Sequence, residues 1–482
     1  AAHGVVDAYR ASGAANITMA GGTSITAGTG LVSIQLLDGA GNTNNTAGGI
    51  TLGSVTAGSL SLSSVSTITQ NSPITASTFT LGGGTWNQVA ASLPSLTVND
   101  FSITGGTFIR ALGGDGTSGT PYQLADIYGV QGMGSSGMLG KSYVLANNID
   151  AAVTGTWNPN GSGGYYGFKP VGDASYFTGS FDGLGYAISN LMIDRPAATY
   201  VGLFGFARSS NFIRNIGLPN ATIIGGPAAG QMIGALVGYL WGVSVDNAYS
   251  TGTVTGGSMV GGLVGHNYAA AISNSYSSAN VSGTDSAGGT VGGLVGSDYA
   301  YGTLTNVHAS GNVTGSGYCT GGLVGAHSSE SSGVINAITN SYSTGNVTSS
   351  GSYVGGLVGF DDGLGNVSNA YASGTVTGTN ISAAQNVGGL VGRLGNSLNT
   401  QLDDVYATGN VSTSYISSVV GGLVGRSYAG SINNAYSTGN VSGSGIGKEQ
   451  VGGLVGVNAC SITNSYATGN VSNGRAGGGL VG

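Results

Sequence analysis

Few residues in this chain are of a type and spacing that could do chemistry. The adjacent carboxylates are Asp361-Asp362 and Asp403-Asp404, the histidines past the start of the chain are His266, His308 and His327, and the cysteines are Cys319 and Cys460. Cleavage of a polysaccharide by acid–base chemistry needs carboxylates that converge, often with a cation or a basic residue beside them. Asp361 follows a Gly-Leu-Val-Gly run whereas Asp403 precedes a tyrosine, which puts the pairs at different corners of any regular fold. Each pair therefore reads as a solvated turn, and no catalytic residue is expected. The histidines lack the i, i+4 spacing of a zinc helix and a cysteine partner, so they read as surface or turn residues. Cys319 and Cys460 lie several repeats apart, beyond the ~7 Å a disulfide tolerates, and read as unpaired. No phosphate loop and no acidic calcium nonapeptide appears, so no cofactor and no metal is expected.

Recurrent polar groups are far more numerous. Asn-x-(Ser/Thr) occurs at Asn280, Asn312, Asn346, Asn410, Asn440 and Asn470, making these candidate N-glycosylation acceptors. The same pattern arises when Asn prefers a corner and Ser/Thr an exposed strand, and a stacked Asn ladder is the expectation. Tyrosine totals 24 residues, enough for about one per repeat. Exposed, such a stripe could stack on sugar rings; core or corner packing is the expectation. Thr253-Val254-Thr255 and Thr375-Val376-Thr377 are like the Thr-x-Thr rows of ice-binding solenoids, but Asn and Ser interrupt the row.

The elements that must position these groups are set by a repeat. Val-Gly-Gly-Leu-Val-Gly, seen at Val260–Gly265, recurs with its leucine at Leu236, Leu263, Leu294, Leu323, Leu357, Leu390, Leu423, Leu454 and Leu480. Subtracting successive positions gives intervals of 26 to 34 residues, a range typical of stacked supersecondary units. A second signature follows each core: Asn274-Ser275-Tyr276 then Asn280-Val281-Ser282, again from Asn340 and from Asn464. Fixed cores joined by elastic spacers suit a coil whose turns vary in length. Val alternates with Asn and Ser, so Val faces inward; the Gly-Gly pair either lets another backbone approach or supplies a turn with φ > 0. In-register stacking places Leu over Leu and Tyr over Tyr, with His308 interrupting the tyrosines and Asp404 standing where other repeats carry Asn.

Composition agrees. Glycine makes up 95 of 482 residues with only 8 prolines and no three-residue period, which excludes collagen, and 40% apolar residues argue against disorder. A net charge of −7 with 11 Lys+Arg leaves no basic stripe for nucleic acid. No apolar run is long enough to span a bilayer as a helix. The chain starts Ala1-Ala2-His3 and stops inside a repeat core, and reads as a fragment.

Three segments are expected. Residues 1–105 hold short alternating strands, such as Leu60-Ser61-Leu62, and read as a solenoid with short rungs. Residues 106–200 form an irregular junction or cap with the one short helix within 123–133. Residues 201–482 are the repeat solenoid.

The Gly-Leu-Val-Gly cores, the Asn-Ser-Tyr segments and Phe181-Asp182-Gly183-Leu184-Gly185 resemble the GLUG-repeat family over roughly Gly113 to Gly482. The first 110 residues resemble the shafts of filamentous-haemagglutinin-like adhesins exported by two-partner secretion. These resemblances imply an all-β, right-handed parallel β-helix (β-solenoid) exported to the bacterial surface. The implied role is non-catalytic adhesion or biofilm contact, with surface glycans, exopolysaccharide or host and cell-surface receptors as partners. A self-assembling filament or sheath subunit and a polysaccharide-active β-helix enzyme are the alternatives.

Overall fold

The computed structural model describes the chain apart from residues 1–3, 9–15, 37–47, 65, 210, 285–287, 330–335, 364, 381–382, 396–399, 415–416, 445–448 and 473–475. Among the described residues the strand pairs that stack along the walls are parallel, and the chain is an all-β parallel solenoid. It divides into two compact units, Ala1–Asp194 and Arg195–Gly482.

In the first unit, Gly4–Ala8, Leu31–Leu36, Ser54–Ser63, Ile74–Leu81 and Leu96–Ile103 pair in sequence order to form one wall. A second wall runs from Ile17–Thr18 through Ile50–Leu52, Thr67–Gln70 and Thr85–Val89 to Thr107–Ala111. Alternation sends Leu60, Leu62, Phe79 and Leu81 inward, all buried, and leaves Thr and Ser outside. Residues 106–194 fall within the first unit, and aromatic contacts join them to its short-rung strands. Phe79 stacks on Phe101 at 5.1 Å, and Phe101 meets Phe108, Tyr128 and Trp157, so the expected junction continues one interior. The helix is shorter than the sequence suggests, Ile127–Gly132, capped by the Asp126 carboxylate accepting from the Gly129 N–H. Buried Arg110 ties this end together, pairing with Asp126 at 2.6 Å and donating to Gln70 and to the Pro94 carbonyl.

The second unit has three walls. The first carries the long strands Phe212–Gly225 and Ser244–Gly256 and then shorter ones down to Val471–Ser472. The second has ten strands among the described residues, from Tyr200–Val201 to Ala476–Gly478, and the third has nine, from Phe204–Arg208 to Val455–Val457. The predicted leucines form one column between the second and third walls. Leu236 N–H donates to the Leu263 carbonyl, Leu263 to Leu294, and so on through Leu323, Leu357, Leu390, Leu423 and Leu454 to Leu480. All are fully buried except Leu480, which is 40% exposed on the last coil. Each fully buried leucine contributes about 1.5–3 kcal/mol of apolar burial.

Neither glycine of the pair has a positive φ. A Cβ on Gly262, Gly356 or Gly389 would strike the carbonyl oxygen of the equivalent glycine one coil on. Across the interior stand small side chains, Ser277 before Gly262 and Ala372 before Gly356. The serines of this column also bond the glycine backbone, Ser343 Oγ to the Gly356 carbonyl at 2.8 Å and Ser437 Oγ to Gly453 at 2.6 Å. Close approach of two backbone layers is what Gly-Gly supplies.

Candidate functional site

Alternation continues past each core leucine, and the residue four places after it points inward on the third wall. These residues pair in register: Leu240, Asn267, Asp298, His327, Asp361, Leu394 and Ser427. Four consecutive coils thus place Asn, Asp, His and Asp in a column with no exposed surface, closed by leucine at each end. Asn267 Nδ2 donates to Asp298 Oδ1 at 2.6 Å, His327 Nε2 lies 3.6 Å from Asp298 Oδ2, and His327 Nδ1 lies 2.9 Å from Asp361 Oδ1. Burial pushes the Asp298 carboxyl up to about 6 against the pull of His327 and Asn267. Burial opposes a charged His327, but Asp361 and Asp298 outweigh it and raise its affinity for the proton. The arrangement is an internal ion-pair ladder.

Three expectations are corrected here. Asp361 is not on a solvated turn, because the strand Val358–Asp362 runs on past the core and turns it inside. His327 is buried for the same reason, and His266, on the outer side of the third wall, is covered by Tyr239 and Tyr299. Burial brings His266 down to about 4. Asp362 is half-buried, and Asp403 and Asp404 lie on the first wall, held by Asn433 and Asn434, so the two carboxylate pairs are on different walls. Among the described residues no cluster of three His, Cys, Asp or Glu could hold a metal.

The outer face of the first wall carries a continuous aromatic stack: Tyr249, Tyr276, His308, Tyr342, Tyr371, Tyr406, Tyr436 and Tyr466. Centroids are 4.6 to 5.2 Å apart and planes within 7° of parallel. The tyrosines are therefore neither core nor corner but an outer ladder, because their position in the alternation points away from the valines. Each ring covers its neighbour's face, leaving edges and hydroxyls for solvent, so face-on sugar stacking is closed along the run.

The six candidate acceptor asparagines lie exposed at the margin of this face. Their ladder joins side chain to backbone rather than amide to amide. Asn280 Oδ1 accepts from Asn312 N–H and Asn312 Oδ1 from Asn346 N–H, both at 3.1 Å, and Asn346 Oδ1 from Thr375 N–H at 2.9 Å. Asn410, Asn440 and Asn470 repeat it. The asparagines that open the second signature stack as expected into another column, Asn247, Asn274, Asn306, Asn340, Asn369, Asp404, Asn434 and Asn464; what the sequence reading did not anticipate is that their backbones have φ from 49° to 55°. Asn and Asp enter that region at the lowest cost after glycine, which explains why this position carries Asn at seven of these places and Asp at 404.

Aromatic residues with arginines gather on the outer side of the second and third walls. At one end, Phe206, Tyr239 and Trp241 stack with Arg208 4.0 Å over Trp241. Further along, Tyr353, Phe360 and Tyr428 surround Arg393, whose guanidinium lies 5.1, 5.1 and 4.6 Å from their rings. Arg393 Nη1 donates to Tyr353 Oη at 2.7 Å, and Tyr353 Oη shares a 2.9 Å hydrogen bond with Tyr318. Arg426 pairs in register with Arg393 and lies 5.7 Å from the Tyr428 ring. Both cysteines are free; Cys319 is buried and Cys460 half-buried. In the first unit, a cleft of about 210 Å³ lies between Gln131, Asn158 and Lys169, the last 3.6 Å from Asp173.

Five segments, residues 256–282, 350–377, 383–412, 416–442 and 447–472, match the GLUG motif. The chain is 34% identical over 169 residues to Halomucin of Haloquadratum walsbyi, a stretch covering 33% of this chain and 2% of that protein. It is also 34% identical over 134 residues to an Evansella cellulosilytica protein provisionally named a Gly-rich membrane protein, covering 27% of this chain and 14% of the relative. The chain thus spans a small part of either relative. Among solved structures, one provisionally titled an immunoglobulin A1 protease, from Bacteroides ovatus, aligns with a TM-score of 0.46 at 23% identity, over 61% of this chain and 85% of that one.

Proposed function

We propose that this chain is part of a non-catalytic bacterial surface or secreted adhesin shaft, which makes attachment and biofilm contacts through many weak, identical groups. The observation that carries this reading is the outer ladder of the second unit: the same tyrosine edge and the same asparagine return on successive coils at about the 4.8 Å strand spacing. Such a surface engages a repetitive partner, a glycan or exopolysaccharide, at several points, so that avidity exceeds any single contact. The names of the two relatives, a mucin and a membrane protein, support a place outside the cell. The likeness of residues 1–110 to two-partner-secreted shafts supports export by that route. Burial of Asp361 and its separation from Asp403 weigh against polysaccharide cleavage.

The test is length. A second copy of Val237–Leu263 inserted after Leu263 keeps register, since Leu263 then runs into Val237 as it now runs into Val264. Retention on bacterial cells and immobilised exopolysaccharide should rise with each added coil. Retention independent of coil number, or release of shortened saccharides, would overturn the adhesin reading.

A further inference from the structure

We propose that Arg393 and Arg426, with Tyr318, Tyr353, Phe360 and Tyr428, form a binding site for the carboxylate of an acidic saccharide, a polyuronate. This deepens the adhesin reading and rests on it for the class of partner. The two arginines are register partners on adjacent coils of the third wall, so their backbones are about one strand spacing, ~4.8 Å, apart. Like charges placed directly opposite repel. Their column otherwise carries Phe206, Tyr239, His266, Ser297, Ala326, Phe360 and Val457, none of them acidic. Among the described residues no carboxylate lies within 4.0 Å of either guanidinium, although the chain as a whole is acidic with 18 Asp+Glu.

What replaces a counter-ion is an aromatic cradle. Ring faces hold Arg393 on three sides, a cation–π arrangement that fixes the plane of the guanidinium. One of its nitrogens is spent on Tyr353 Oη, and the Nε atoms of both arginines are buried without a hydrogen-bond partner. The remaining terminal N–H groups of the two register-paired arginines, both beside the Tyr428 ring, suit a planar oxyanion, which a guanidinium can grip in bidentate fashion. Tyr318 and Tyr428 flank the pair at 44% and 46% exposure. Exposed aromatic surface of that kind packs against the C–H face of a pyranose ring, which an acidic peptide does not offer. A uronate presents both features, a carboxylate and a ring, on each residue of a polymer.

The test uses the whole chain and affinity electrophoresis through gels holding polygalacturonate, its fully methyl-esterified form or dextran sulfate. Polygalacturonate should retard the protein and the neutral ester should not. R393Q/R426Q should weaken retardation at least 10-fold, and R393K/R426K, which keeps charge but loses the fork and the stacking, should fall between. R393Q alone should already lose retardation, whereas R208Q, which removes the same single charge over Trp241, should behave as wild type; circular dichroism and thermal midpoints establish that each variant is folded. Equal losses in R208Q and R393Q, equal binding of the ester, or equal and Arg393-dependent binding of dextran sulfate would each overturn the carboxylate assignment. Retention on cells that rises with coil number, without polygalacturonate binding, would sink this site and leave the shaft reading standing. Polygalacturonate binding that ignores coil number would do the reverse.

Discussion

His327 Nδ1 lies 2.9 Å from Asp361 Oδ1, and neither side chain has any exposed surface. With Asp298 on the other side of the imidazole, this is an acid–base–acid sandwich built across three coils of a parallel solenoid. Removing one member strands the others: Asp361→Ala should cost about 3–5 kcal/mol, because the buried imidazole loses its closest counter-charge.

The sandwich also sets a pH dependence. Asp298 and His327 both hold protons more tightly folded than unfolded, so their contributions are complete at low pH and fade as pH rises. Asp298 loses its share between its ordinary 3.8 and about 6. His327 loses its share as pH climbs from 6.5 through its raised folded value. His266 and His308 act with the opposite sign and only below 6.5, since burial lowers both. Differential scanning calorimetry should therefore show the second unit losing stability from pH 6.5 to 9. The variant D298L/H327L/D361L, which extends the leucine of Leu240 and Leu394, should be flat over that range and no less stable at pH 9. A wild-type profile that rises over the same range would refute the assignment.

Gly356→Ala should be severe. Its Cβ would collide with the Gly389 carbonyl and come 2.9 Å from Ala372 Cβ, so the layers must part, at about 3 kcal/mol or more. Gly479→Ala meets nothing within 4 Å and should be silent. Urea titration of the two variants makes the comparison.

At Asn340, φ is 52°. Asn340→Gly should be tolerated, whereas Asn340→Val should cost about 1–2 kcal/mol, since a β-branched residue resists the left-handed region. Equal midpoints for the two variants would show that the backbone does not impose this cost.

His308 occupies a tyrosine position, with rings of Tyr276 and Tyr342 at 4.8 and 4.6 Å. His308→Tyr should stabilise by about 0.5–1 kcal/mol through a larger stacked ring. The gain should be greater at pH 5 than at pH 8, because burial disfavours protonated His308 and that penalty disappears with the imidazole. Thermal midpoints at the two pH values read this directly.

The repeat period, the parallel stacking and the leucine column were legible because identical residues recur where identical neighbours surround them. Asp361 and His327 were misread because each was judged by its own type and by its distance from glycine. Writing the residues four places after each core leucine one below another, Leu240, Asn267, Asp298, His327, Asp361, Leu394, Ser427, would have shown an inward column with apolar members. The same exercise three places after the leucine would have found Arg393 above Arg426. Tyrosine was placed wrongly for a different reason: an amphipathic ring suits either side of a pleated wall, and only strand phase decides between them. Which backbone N–H each asparagine Oδ1 accepts from, and how closely Gly-Gly layers approach, depended on geometry that no spacing encodes.

The serial bond from each core leucine to the next has a genetic corollary. Wherever Leu-Val abuts Leu-Val, a whole turn can be duplicated or excised by unequal recombination without creating a foreign interface, so this stretch can lengthen or shorten in steps of about thirty codons. The run from Asn267 to Asp361 is the exception: a crossover inside it would orphan a charge, and lineages should conserve that block intact while the coils around it multiply.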